Sequence, residues 1–183
     1  MKIKREFTIH DKKLKVGDRI KVKLPNETHW ATCYKSQGSA HHFIFDDCLD
    51  ELRPMNSTNT TEGGYEASEL RAYLKELGEQ VQKKLKNKMI PDENGDLLFL
   101  LNLREVFGCD AEWNDVSGQE EWFKDRRHRI ATSKEEEYAH WWLRDVVSGS
   151  SFANVNHTGY CYYTSASAAW RGIRPAFVIS SDL

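Results

Sequence analysis

At 183 residues, with 30% charged and 39% hydrophobic side chains, the chain is long enough to bury one real core beneath a well-solvated surface. A net charge of −2 gives no general reason to bind nucleic acid, and no apolar run approaches the roughly 20 residues that a membrane span requires. The charged start Met1-Lys2-Ile3-Lys4-Arg5-Glu6 has no apolar stretch behind it, so no secretory signal is expected. Cys33, Cys48, Cys109 and Cys161 lie far apart without a C-x-x-C pair and read as reduced core thiols. The expectation is one cytoplasmic domain over 1–183, with a strand region at 1–50, a helical segment at 66–88 and a C-terminal core at 97–183.

In chain order, Lys2 to Lys23 reads as short strands joined by the turns Asp11-Lys12-Lys13 and Val16-Gly17-Asp18. Arg19 to Leu24 alternates charged and apolar residues, as a half-buried or lysine-guarded edge strand does. Trp30–Tyr34 and His42–Phe45 predict two more strands around Ser36-Gln37-Gly38-Ser39, and Asn56 to Gly64 is a polar loop. Ser68 then opens the clearest helix, with Leu70, Tyr73, Leu74 and Leu77 at helical spacing, a break expected at Gly78, and Val81 and Leu85 extending the apolar face. The basic run Lys83, Lys84, Lys86 and Lys88 reads first as a solvated helix end favoured by the dipole, and second as the one candidate for contact with phosphate.

Pro91 ends that helix and Asn94-Gly95 marks a turn. The unbroken apolar run Leu97 to Leu101 predicts a buried strand, and Leu103 to Phe107 a helical turn capped by Gly108. Cys109 to Glu137 is polar and irregular, carrying the opposed runs Arg126-Arg127-His128-Arg129 and Glu135-Glu136-Glu137. Phe152–Val155 and Pro175–Ile179 read as the last strands. Short strands, one good helix and long irregular connections give an α+β domain.

The last third is the densest in signal. It runs from Trp141-Trp142-Leu143-Arg144, through Tyr160-Cys161-Tyr162-Tyr163, to Arg171-Gly172-Ile173-Arg174-Pro175-Ala176. Joined to Ser68–Leu74 and Leu98–Gly108, this combination resembles a domain-of-unknown-function family of anaerobic Gram-positive bacteria and their phages. More distantly, the ending resembles the close of the formylglycine-generating enzymes. The resemblance implies a C-type-lectin-like core of short antiparallel strands, one main helix and long irregular loops. It covers the chain from about Trp30 onward, and Asp145 departs from the family's usual Leu-Arg-Ser.

Candidate chemistry is thin. Trp113-Asn114-Asp115 matches a triplet of calcium-dependent lectins, but Ile90-Pro91-Asp92 lacks the companion motif, so no metal is expected there. Asp92-Glu93-Asn94-Gly95-Asp96 has its glycine misplaced for an EF-hand and reads as a turn. His41 and His42 would point to opposite faces of a strand, away from a shared ion. Cys161 lacks the second thiol of the formylglycine-generating class, and a Cys161–His157 dyad needs a hairpin that turns both inward. Neither cofactor nor catalysis is therefore expected.

Tyr160, Tyr162, Tyr163, Trp170, Arg171 and Arg174 form the best candidate binding set, because tyrosine and arginine give contact area with directional hydrogen bonds. The expected function is a non-catalytic intracellular protein-binding module, phage-borne, whose sharper form is an inhibitor of a host nuclease–guide RNA complex of the anti-CRISPR type. Asp110 to Glu121 and Glu135–Glu137 would be its acidic surface. The alternatives are a virion or tail accessory protein and a Cys161-dependent enzyme.

Overall fold

The computed structural model describes residues 14–86 and 88–181, so the strands expected between Lys2 and Lys13 lie outside the described residues. The fold is mixed α and β, with antiparallel sheets. β1 (Arg19–Lys23), β2 (Thr28–Gln37), β3 (Ala40–Phe45), β4 (Met89–Ile90) and β8 (Ala176–Ser180) make a five-stranded sheet in the order β1-β2-β3-β8-β4. β5 (Trp141–Ser148), β6 (Ser151–Val155) and β7 (Cys161–Ser165) make a second sheet in that order.

The alternation in β1 does what its pattern implies, burying Ile20 and Val22 and leaving Lys21 and Lys23 outside. β2 and β3 close as a hairpin over Gly38-Ser39, where Gly38 takes the positive φ of 59° that such a tight turn needs. A register shift between Cys33 and Lys35 marks a bulge at Tyr34, which packs on Phe123. β8 is buried at every residue, as expected of a strand paired on both edges.

Helix α1 (Glu69–Lys84) begins at Ser68, whose hydroxyl accepts the Arg71 N–H, and buries Leu70, Leu74, Leu77 and Val81 along one face. The expected break at Gly78 does not occur. A Cβ there would lie 3.1 Å from Leu97 Cβ and 3.2 Å from Leu98 N, so the glycine admits a neighbouring backbone instead of ending the helix. Leu97 to Leu101 is not a strand but a buried, irregular segment with one bridge, Phe99 to Ala176. Leu98 and Leu100 enter one core cluster while Phe99 and Leu101 enter the other, which accounts for its unbroken hydrophobicity.

α2 (Leu103–Phe107) carries a reciprocal cap between Asn102 and Glu105 and ends at left-handed Gly108. α3 (Glu121–Lys124) and a 3-10 turn over Arg126–Arg129 lie in the stretch that reads as irregular from sequence.

Trp141 and Trp142 are both fully buried and divide between the two core clusters. Each indole N–H donates to a carbonyl, Arg129 O and Arg53 O respectively, at 2.8 Å. Gly172 lies alongside: its N–H donates to His140 O at 2.7 Å and its carbonyl accepts from Trp142 N at 3.1 Å. A Cβ on Gly172 would stand 2.5 Å from Cys48 Sγ, so this approach is open only to glycine. The start and the end of the final third are therefore one packed unit.

Candidate binding surface

β7 is an outer strand, and no described segment pairs with its far edge. Tyr160, Tyr162 and Tyr163, on or next to it, are each about half exposed, and Trp170 is the most exposed large side chain of the set. Strand geometry sends Tyr162 and Tyr163 to opposite faces, yet their rings lie nearly parallel (13°) with centroids 5.6 Å apart. An edge without a neighbouring strand leaves room for both to turn over it. Trp113 joins them at 6.4 Å from Tyr163, and Arg126 sits over the Tyr160 ring at 5.0 Å.

Three loops of one design shape this region and its surroundings. In each, a leading Asp or Asn receives backbone N–H groups on its side chain and its own N–H donates to the carbonyl four residues on. Asp92 Oδ1 accepts from Asn94 N and Asp96 N, both at 2.9 Å. Asp110 Oδ1 accepts from Glu112 N and Asn114 N, again at 2.9 Å. Asn156 Oδ1 accepts from Thr158 N and Tyr160 N at 3.0 and 2.9 Å. The fourth residue must be left-handed. It is Gly95 (φ 78°) and Gly159 (φ 81°) in two loops, but Trp113 (φ 67°) in the third.

The candidate arginines part company. Arg174 is interior: its Nε donates to Phe45 O at 2.8 Å, Nη1 to His128 O at 2.9 Å, and its guanidinium lies 5.0 Å from the Trp141 ring centroid. It ties the end of β3 to the 3-10 turn at Arg126–Arg129 and contributes no binding surface, contrary to the sequence reading. Arg171 is only 9% exposed, with Nε sealed from solvent and unbonded.

The other sequence candidates resolve as follows. His157 meets His140 (Nδ1 to Nε2, 3.2 Å), whereas the Cys161 sulfur's hydrogen-bond contact is Tyr162 O at 3.9 Å. Burial raises the Cys161 thiol to about 12, so it is not a ready thiolate. Asp110's oxygens are occupied by amides of its own loop, as are those of Asp92. His41 hydrogen-bonds Ser36, and His42 lies edge-on to Tyr34. Lys83 and Lys84 close α1, Lys86 follows, and all three are exposed, while Lys88 is partly covered.

Glu27, His29 and Asp50 bring ligand atoms within 4.8 Å of one another, a grouping that their sequence separation hides. Glu27 Oε2 already holds His29 Nε2 at 2.6 Å and Asp50 N at 2.7 Å. Burial pushes its carboxyl up, but those bonds outweigh burial and hold it below the usual range. A cleft of about 420 Å³ lies beside Tyr65, Asn102, Arg144 and Asp145. Burial raises Asp145 there, and its carboxylate caps α2 through Leu103 N at 2.7 Å. Arg144 ties Asp92, Glu93 and Glu105 together, so these groups mainly brace the fold.

Residues 39–181 match the family described as a domain of unknown function, DUF6273. The chain belongs to that family. No curated protein and no solved structure matches it. Among the described residues no helix is long and apolar enough to cross a membrane.

Sequence reasoning weighs Trp113 only as part of a calcium-lectin triplet and passes over the buried Asn154. Trp113 carries no turn signal of its own, although Asp110-x-x-x-Asn114 parallels Asp92-x-x-x-Asp96 and Asn156-x-x-x-Tyr160. Asn154 could have been noticed as the polar residue within Phe152-Ala153-Asn154-Val155, an otherwise apolar central strand.

Proposed function

We propose that this chain is a non-catalytic binding module whose partner lays an extended polypeptide segment along the open edge of β7. Trp113, Tyr160, Tyr162 and Tyr163 supply the contact area, and the free strand edge supplies main-chain hydrogen bonds. The observation that carries this reading is Trp113. A bulky residue holds a left-handed backbone where both sister loops use glycine, and it projects into solvent, 46% exposed, beside Tyr163. Local strain of that kind costs about 1–3 kcal/mol, and a glycine would relieve it. A side chain that opposes its own loop and makes little core contact is best explained by what it does outside the fold.

The C-type-lectin-like relationship belongs to the same reading, since such folds present ligands from loops on a small sheet. A host nuclease–guide RNA complex is one partner of interest, because the exposed run Glu135–Glu137 forms no ion pair among the described residues.

The test is photocrosslinking. A photoreactive residue replacing Tyr162 should capture one polypeptide in cells that express the gene naturally, and Trp113→Gly or Tyr163→Ser should abolish the capture. A folded protein that captures nothing, or captures equally well in both variants, would remove the proposal. Adding the protein to nuclease–guide complexes and measuring DNA cleavage decides the narrower partner assignment.

A further inference from the structure

Where the first hairpin of the five-stranded sheet meets the segment after β3, two carboxylates and an imidazole converge. Glu27 closes the β1–β2 turn, where its carbonyl accepts the Leu24 N–H at 2.9 Å, and His29 is the second residue of β2. Their side chains share a face and meet, Nε2 to Oε2, at 2.6 Å. Asp50 arrives from the segment after β3, 23 residues on from Glu27. One ligand atom from each of the three lies within 4.8 Å of the other two.

Each member is held in position by the surrounding fold. The His29 ring stacks on that of buried Phe45 (centroids 5.7 Å apart, planes at 12°), and its side chain is only 10% exposed. Glu27 is nearly as well covered, yet its hydrogen bonds outweigh the upward push of burial and keep it a carboxylate. Asp50 is fixed through the backbone: its N–H donates to Glu27 Oε2 at 2.7 Å, and the preceding Leu49 N–H donates to Ile173 O at 2.8 Å. Its own carboxylate is exposed, with Lys134 Nζ 3.4 Å away in a surface ion pair of little strength. One imidazole N–H suffices for Glu27, so a second carboxylate brought this close adds repulsion. A dication between them removes that repulsion and uses all three groups.

We propose that Glu27, His29 and Asp50 bind one divalent metal ion of the zinc class. The donor set selects the ion: imidazole suits zinc and its neighbours in the first transition row, whereas magnesium and calcium take oxygen ligands. Ligands on a tetrahedral ion with bonds of about 2.0–2.1 Å stand about 3.3 Å apart. The 2.6 Å contact must therefore open and the widest gap, 4.8 Å at most, must close, which rotation of the two carboxylates accomplishes. His29 Nε2–H, which donates to Glu27, gives up its proton on ligation, to Nδ1 or to solvent, while the ring keeps its place on Phe45. Three protein ligands leave a fourth position to water, on the side of exposed Asp50. Glu27 and His29 precede the residues matched to the family and Asp50 lies among them, so the ion would clasp the β1–β2 hairpin to the family domain.

The test uses the full chain, treated with a chelator and then titrated with zinc chloride in a calorimeter. One ion per chain should bind saturably and raise the melting temperature, and the nitrogen-15 resonance of His29 Nε2 should move to that of a metal-bound imidazole. Asp50→Asn keeps the backbone N–H that Glu27 accepts, so the variant should fold, and its zinc affinity should fall at least about tenfold. His29→Gln should abolish binding. A titration without saturable binding overturns the proposal. So does binding that Asp50→Asn leaves unchanged, because the ion then sits elsewhere on the chain. Saturation by calcium chloride and not by zinc chloride overturns it as well. Should His29→Gln fail to fold, Asp50→Asn and the His29 resonance decide. Loss of crosslinking at the β7 edge would leave this result untouched.

Discussion

The Asn156–Tyr160 and Asp110–Asn114 loops have the same hydrogen-bond plan and opposite tolerances. In the first, Gly159 sits against the Arg126 backbone, where a Cβ would come 3.0 Å from the Arg126 carbonyl oxygen. In the second, Trp113 occupies the equivalent left-handed position and is about half exposed. One loop is built inward, held by Arg126 Nη1 on Thr158 O and Arg129 Nη1 on Gly159 O; the other is built outward. The same local geometry thus serves anchoring in one place and presentation in the other, and only the fourth residue reveals which.

The comparison can be broken most sharply at Gly159. Gly159→Ala combines an unfavourable φ with a backbone clash and should cost about 2–3 kcal/mol, read from the denaturant midpoint. Trp113→Gly should lose about 2 kcal/mol of partner affinity, as a central aromatic contact does, measured by titration against the crosslinked partner. Gly95→Ala carries the same φ penalty as Gly159→Ala without a clash, since nothing lies within 4 Å of its Cβ, and should cost about 1 kcal/mol. Trp113→Gly should also raise the stability of the free protein, by about 0.5–1 kcal/mol. A destabilised Trp113→Gly would mean that the indole is a packing residue, and the contrast between the loops would collapse.

The smallest effect expected is a pH dependence at His140, which meets His157 of the inward loop. Burial, then the neighbouring Arg171 and His157, lower the His140 pKa below its ordinary value of 6.5. The folded state therefore resists a proton that the unfolded chain accepts. His140 contributes stability above about pH 6.5 that is lost as pH falls through its lowered value. His42 is lowered by burial and Lys35, with the same sign, so His140→Gln should flatten part of the melting-temperature decline between about pH 7 and 5 and leave the rest.

Much of the scaffold was legible because its signals are local. The Ser68 cap, the Leu70-Leu74-Leu77 stripe, the Gly108 cap and the alternation in β1 each act within a few residues. What escaped reading is set by distant neighbours. Gly78 looks like a helix breaker until Leu97 and Leu98 are seen against it. Leu97 to Leu101 looks like a strand because a segment threaded between two cores is as apolar as one. Arg171 and Arg174 are indistinguishable in the string, and only the carbonyls of Phe45 and His128 separate them. The tyrosines could be nominated for the surface, but Trp113 could not, since its importance lies in a backbone angle.

The contact between Gly172 and Cys48 carries a chemical consequence. Burial raises the Cys48 thiol to about 12, so peroxide would find little thiolate to attack. Were an oxygen added to that sulfur nonetheless, it would need space now filled by the Gly172 backbone, 2.7 Å from the His140 carbonyl. Oxidation at this one atom would prise the closing segment away from the tryptophan pair, and the damage would register as unfolding of the whole chain.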